Sequence, residues 1–286
     1  MTASSLSLPD LGVTLATYEG GNPAGAPLFL LHGNSLAADI FTKQWHDPTL
    51  QPFRLVTMDL PGHGQSPPAP GHYALPAMRA VVRAAVQALR LEQALVVAHS
   101  YAGLLFLELL PELPRLQGLM VVGAPPVSSP EHIQAAFQFN ETVMLYYTLA
   151  VNAAQAEVMA QYALAPEVAS DTLALLTADI LRTDGQARTD LGASLAAGDI
   201  SDQVGYVART TVPLAFVAGA LDRGLHLAYF ERLAAPSRWG GPVHLIPAAG
   251  HSPFIESPVV FNQLLLDFAM ATTYTLPHRS SRTALT

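Results

Sequence analysis

Apolar residues along this 286-residue chain change their spacing in a regular order. Short, mostly apolar runs at Ala26–Leu31, Phe53–Met58, Leu95–Val97, Leu119–Val122 and Val212–Gly219 alternate with stretches of helical periodicity. Runs this short, with almost no polar face, fit strands covered on both sides, as parallel strands are. Leu75–Leu91 predicts a helix, because Met78, Val81, Val82, Ala85, Val86 and Leu89 fall on one stripe. Leu104–Leu110 predicts another, stopped by Pro111 and Pro114. Residues 11–20 alternate as an exposed strand does and end at the turn Gly20-Gly21-Asn22-Pro23. Helices around Ala37–Trp45 and Leu225–Leu233, a last strand at Val243–Pro247 and an amphipathic closing helix at Pro258–Ala269 complete the pattern.

Strand following helix in this way predicts an α/β fold: a mostly parallel, doubly wound sheet with helices on both faces. The rhythm breaks once. Pro126–Thr211 contains no convincing strand and reads as four helices, near Glu131–Phe139, Thr142–Ala163, Pro166–Leu181 and Asp190–Val207. The chain therefore divides into a core, 1–125 and 212–271, and an all-helical cap, 126–211, inserted before the strand that leads to Asp222. A polar tail, 272–286, carries His278, Arg279, Ser280 and Ser281 and is expected to be poorly ordered. Within the cap, Met144, Tyr146, Tyr147, Met159 and Tyr162 lie close together. Most of them pack the helices against one another, and some face the gap above the sheet.

Composition narrows the function classes. Half of the residues are hydrophobic and 13% are charged, enough for a sizeable core. A net charge of −8 with no Lys/Arg run argues against nucleic acid as a partner. The absence of cysteine excludes disulfides, thiolate catalysis and Cys-based zinc sites. Met1–Pro9 shows no signal-peptide pattern, and no apolar run approaches a membrane span. These features read as a soluble, cytoplasmic protein with a small-molecule partner; a homodimer is not derivable from them.

Candidate chemistry gathers at strand ends, where ligands sit in open parallel sheets. Ser100 follows Leu95–Val97 within a few residues and precedes a helix, with Ala98, Ala102 and Gly103 around it. A strand that turns so sharply into a helix needs small neighbours and projects the serine at its tip, the geometry of a nucleophile elbow. The usual Gly-x-Ser-x-Gly reads here as Ala-x-Ser-x-Ala, and a helix N-cap is the alternative role. A serine nucleophile needs a base. Of ten histidines, His251 fits best, in the loop after the last strand. His99 adjoins Ser100 and points away from it, while His32 and His63 stabilise turns. Asp222, just past the preceding strand, is the carboxylate to orient His251, with a turn or cap as its bland role. Glu256, five residues past His251 at the start of the closing helix, reads as a structural residue favouring the helix dipole. The backbone N–H groups of Tyr101 and Asn34 are the candidate oxyanion donors, and the Asn34 side chain a substrate contact. Gly62 and Gly64 are assigned to turn geometry, and Asp59 to local hydrogen bonding.

Five segments, taken together, resemble the α/β-hydrolase fold superfamily: Phe29-Leu30-Leu31-His32-Gly33-Asn34-Ser35, Asp59-Leu60-Pro61-Gly62-His63-Gly64-Gln65-Ser66, Ala98-His99-Ser100-Tyr101-Ala102-Gly103, Gly219-Ala220-Leu221-Asp222 and Ala249-Gly250-His251-Ser252-Pro253. The resemblance covers about residues 10–125 and 212–270. It implies an α/β-hydrolase fold, with Ser100 as nucleophile, Asp222 as orienting acid, His251 as general base and no metal or cofactor. Asn34, His99, Tyr146 and Tyr147 are the expected pocket residues. Dehalogenases and epoxide hydrolases of the superfamily carry aspartate at the elbow, against which Ser100 argues; Gly123-Ala124-Pro125-Pro126 lacks the acid that dioxygenases use. The expected activity is hydrolysis of a small, mostly apolar ester, thioester or lactone. Carbon–carbon bond hydrolysis, perhydrolysis and ligand reception with a retained triad are the alternatives.

Overall fold

The computed structural model describes residues 1–274. Eight strands form one sheet in the order β1-β2-β4-β3-β5-β6-β7-β8. They are β1 Thr2–Leu8, β2 Val13–Gly21, β3 Pro27–Leu31, β4 Arg54–Met58, β5 Leu95–His99, β6 Gly118–Val122, β7 Leu214–Gly219 and β8 His244–Ile246. The pairs β1–β2 and β2–β4 are antiparallel; the remaining five pairs are parallel. Hydrophobic period finds β2 through β8 but not β1. That strand lies at the sheet edge, with only Leu8 buried, and the backbone ladder to β2 holds it. An edge strand can form without an apolar face, so nothing in its side chains announces it.

The fully apolar central strands are apolar because both faces are covered. Phe29, Leu31, Val96, Ala98, Leu119 and Val121 point to one face, where they meet helices α2 (Leu75–Ala88) and α3 (Tyr101–Leu109). Leu28, Leu30, Leu95, Val97, Met120 and Val122 point to the other. There they meet Ile40, Phe41 and Phe254, beside the short helix α1 (Thr42–Trp45), and Phe261, Leu265 and Phe268 of the closing helix. Parallel β-strands joined by covering helices place their carboxyl ends, and the loops that follow, along one edge.

Between β6 and β7 the chain forms six helices rather than four: α4 Pro130–Ala136, α5 Glu141–Leu145, α6 Ala153–Ala163, α7 Ser170–Arg182, α8 Gly185–Ala197 and α9 Gln203–Arg209. Capping chemistry breaks the two longest predicted helices. Asn152 and Gln155 form a reciprocal capping box that starts α6 afresh. Gly198, in the left-handed region at φ 79°, ends α8, and Asp202 caps α9. The buried Arg188 then ties the pieces together by donating to the carbonyls of Thr148, Leu149 and Ile180. The stretch predicted as a helix at Leu225–Leu233 is a 3-10 turn, Leu227–Arg232. Closing helices α10 (Pro253–Glu256) and α11 (Pro258–Tyr274) follow, and α11 runs past Ala269 into the first residues predicted as tail. The rest of that tail, with His278, Arg279, Ser280 and Ser281, lies outside the described residues. Among the described residues no helix is long and apolar enough to cross a membrane.

Candidate active site

β5 ends at His99 and α3 begins at Tyr101, so Ser100 alone makes the turn between strand and helix. Its backbone lies at φ 51°, ψ −115°, a conformation L side chains rarely adopt and that the surrounding structure must enforce. Enforcement comes from close packing. A β-carbon on Gly33 would stand 2.8 Å from Ser100 Cβ, and one on Gly103 would stand 2.6 Å from Ala124 Cβ. The tight approaches fall at Gly33 and Gly103, so alanine fits at both 98 and 102, where the side chains are fully buried. The Ser100 side chain makes no helix-capping hydrogen bond. Its Oγ lies 2.9 Å from His251 Nε2 instead.

His251 stands in the loop after β8, and its backbone N–H donates to Ala163 O at the end of α6, 2.7 Å away. Its Nδ1 meets Asp222 Oδ2 at 2.7 Å; the other Asp222 oxygen accepts from Gly224 N–H at 2.8 Å. A carboxylate only accepts, so Nδ1 carries the proton and Nε2 presents a lone pair to the Ser100 hydroxyl. Burial disfavours the charged ring, and Asp222 outweighs that effect through its charge and hydrogen bond. The result lifts the His251 imidazole above its ordinary value. Room for the ring comes from Gly123, where a β-carbon would sit 2.8 Å from His251 Cε1. No spacing of residues along the chain predicts this role for Gly123.

Among the described residues, the N–H groups of Tyr101 and Asn34 meet no acceptor. The Asn34 side chain is taken up: Nδ2 donates to Tyr146 O at 2.9 Å, and Oδ1 accepts from Ser35 Oγ at 3.2 Å. Tyr146 lines the cavity above Ser100, but its hydroxyl donates to Met159 O at 2.9 Å. Tyr147 lines it with a hydroxyl that meets no protein partner among the described residues. His99 borders the cavity with its ring fully buried, its Nε2–H directed at His251 O, 2.9 Å away, and its face against Phe254. It thus braces the loop of His251 from behind. His32 and His63 are buried 5.4 Å apart and hold turns, through Leu60 N–H and Pro61 O. Glu256 ends α10 rather than starting the closing helix. Its carboxylate accepts from the N–H groups of Gly250, Ser252 and Ala165, which joins the His251 loop to the helical segment.

Above Ser100 a cavity of about 630 Å³ opens between the sheet edge and helices α4, α5, α6 and α8. Leu104, Val127, Ile133, Phe137, Leu191 and Leu195 form much of its wall, and among the described residues no Lys, Arg or Glu lines it. A neutral, largely apolar guest therefore loses little on entering.

The family model for the alpha/beta hydrolase family matches residues 28–264. The chain is 28% identical over 267 residues to the pimeloyl-[acyl-carrier protein] methyl ester esterase of Yersinia enterocolitica serotype O:8 / biotype 1B, covering 85% of this chain and 92% of that one. The crystal structure of the N-acyl homoserine lactonase AidH complexed with N-butanoyl homoserine is 27% identical, with a TM-score of 0.86 over 96% of this chain and 98% of that one. A putative aryl esterase from Burkholderia cenocepacia, 22% identical with a TM-score of 0.77 over 96% of this chain and all (100%) of that one, shares the fold.

Proposed function

Because the chain belongs to the alpha/beta hydrolase family, we propose that it hydrolyses small, neutral, mostly apolar esters and lactones through an acyl intermediate on Ser100. The hydrolase class follows from the family; the residues and the substrate are our assignment. One observation carries it. The relay Ser100 Oγ–His251 Nε2 at 2.9 Å and His251 Nδ1–Asp222 at 2.7 Å lies on the floor of an apolar cavity.

In this reading Ser100 attacks the carbonyl carbon as His251 takes its proton, and Asp222 stabilises the imidazolium. The N–H groups of Tyr101 and Asn34 receive the oxyanion, each worth about 3 kcal/mol in the transition state. His251 returns the proton to the leaving alcohol, then activates water to release the acyl group. Residues 126–211 act as the cap that encloses the acyl chain. A lactone is an ester whose alcohol stays attached after the first step, so the same machinery opens it. The likeness to the lactonase AidH supports including that class.

A fluorophosphonate probe should label the protein at Ser100, and Ser100→Ala should abolish both labelling and hydrolysis of p-nitrophenyl hexanoate. Labelling that persists in Ser100→Ala defeats the assignment. Parallel rates on p-nitrophenyl hexanoate and N-hexanoyl homoserine lactone then rank ester against lactone.

A further inference from the structure

The loop that carries Asn34 is anchored from two sides. On the sheet side, Asp59 Oδ1 accepts from Ala38 N–H at 2.7 Å. On the other, the helical segment reaches it twice: Tyr146 O accepts from Asn34 Nδ2 at 2.9 Å, and Asp179 Oδ2 accepts from Ala37 N–H at 3.1 Å. Asp179 lies on α7 and is buried. Its other oxygen lies 2.6 Å from Arg182, and the same guanidinium nitrogen meets Asp39 at 2.8 Å. A carboxyl oxygen 142 residues away in sequence thus meets a backbone amide three positions beyond Asn34.

Between these anchors Ser35 sits at φ 59°, fully buried, in the region that L side chains disfavour. The loop does not keep this shape by its own preference; the flanking bonds must impose it. An oxyanion donor is effective only when it is fixed before the charge develops. We propose that Asp179 is a positioning residue: it clamps the strained loop from the helical segment and so holds the Asn34 N–H ready for the oxyanion. The inference rests on the acyl-serine reading of the site. Arg182 stands against the buried Asp179 carboxyl and keeps it in place, and losing Asp179 would leave the buried Ala37 N–H without its acceptor.

The test is Asp179→Ala in the full chain, assayed on p-nitrophenyl acetate and p-nitrophenyl hexanoate. Every ester develops the same oxyanion, so kcat should fall about 10- to 100-fold on both, with KM moving far less. Fluorophosphonate labelling should slow in parallel. Asp39→Asn, which leaves the Asp179–Ala37 bond intact, should stay within about twofold of the parent. Asp179→Asn keeps the side-chain volume and a weaker acceptor, and serves if the alanine variant does not fold. It should show a smaller fall, again equal on the two esters. A loss confined to hexanoate, with KM rising and acetate turnover unchanged, is what mere packing in the helical segment would give, and it overturns the proposal. Parent-like kcat in both Asp179 variants overturns it too. A parent that neither labels nor turns over either ester overturns the catalytic reading, and this inference with it.

Discussion

Ser100 illustrates how much one backbone conformation controls. At φ 51° the turn directs Oγ toward His251 rather than toward the amides of its own helix, and no capping bond competes for the hydroxyl. At the same scale, the sign of the His251 shift fixes a pH dependence. In the proposed mechanism the ring must be neutral to accept the serine proton, and Asp222 holds its pKa above the ordinary 6.5 against the effect of burial. Activity should therefore rise with pH through a limb above 6.5. Asp222→Asn removes the charge and leaves the burial, so that limb should move to lower pH. Turnover should fall by about 10⁴ as the ring loses its tautomer. The rate of fluorophosphonate inactivation against pH measures both effects. A limb that does not move in Asp222→Asn would assign the ionisation to another group.

Elements join where polar side chains cross between them, and Glu256 is the strongest case. From the end of α10 its carboxylate accepts from Gly250 and Ser252 in the His251 loop and from Ala165 after α6. Sequence position alone suggested a helix dipole; the bonds make it a staple between two elements. Glu256→Ala would strand three backbone donors, and the protein should lose about 2–4 kcal/mol in denaturant unfolding. A midpoint unchanged from the parent would show that water replaces the carboxylate. The helix breaks between α5 and α6 and after α8 belong to the same scale. Asn152, Gly198 and Asp202 were visible in the chain, but the apolar period running past them was the stronger local signal.

For the molecule as a whole, the buried histidines set its response to acid. Burial is the main cause that lowers His32 to about 4 and His63 to about 3; a like neighbour adds to the effect at His63. His99 is lowered well below 6.5 for the same reason. The unfolded chain binds protons on these rings below 6.5 and the native chain does not, so stability falls as pH drops. Each such ring contributes a slope of about 1.4 kcal/mol per pH unit. Asp179, raised by burial to about 8, opposes the three rings across the same range, whereas His251, shifted upward, acts only above 6.5. Unfolding midpoints should therefore decline steeply from pH 7 toward pH 4, and His63→Gln should flatten the decline. An equal slope in that variant would place the acid sensitivity elsewhere.

The sheet and its covering helices were legible in the chain, because period and turn residues are local properties and buried parallel strands leave no polar face. The edge strand β1 was not, since the backbone holds it and its side chains face solvent. Ser100, Asp222 and His251 each read from the chain as strand-end candidates, in that order, and the structure brings the three side chains within hydrogen-bond distance. The sequence by itself determined this alternation of elements and the inventory of reactive groups. Only the tertiary structure decided that Gly123 clears space for His251, that the Asn34 side chain serves Tyr146, and that Asp179 reaches Ala37. The physical reason is range. Helix and strand patterns follow from neighbours a few residues apart, whereas these contacts depend on where segments 100 or more residues apart come to rest.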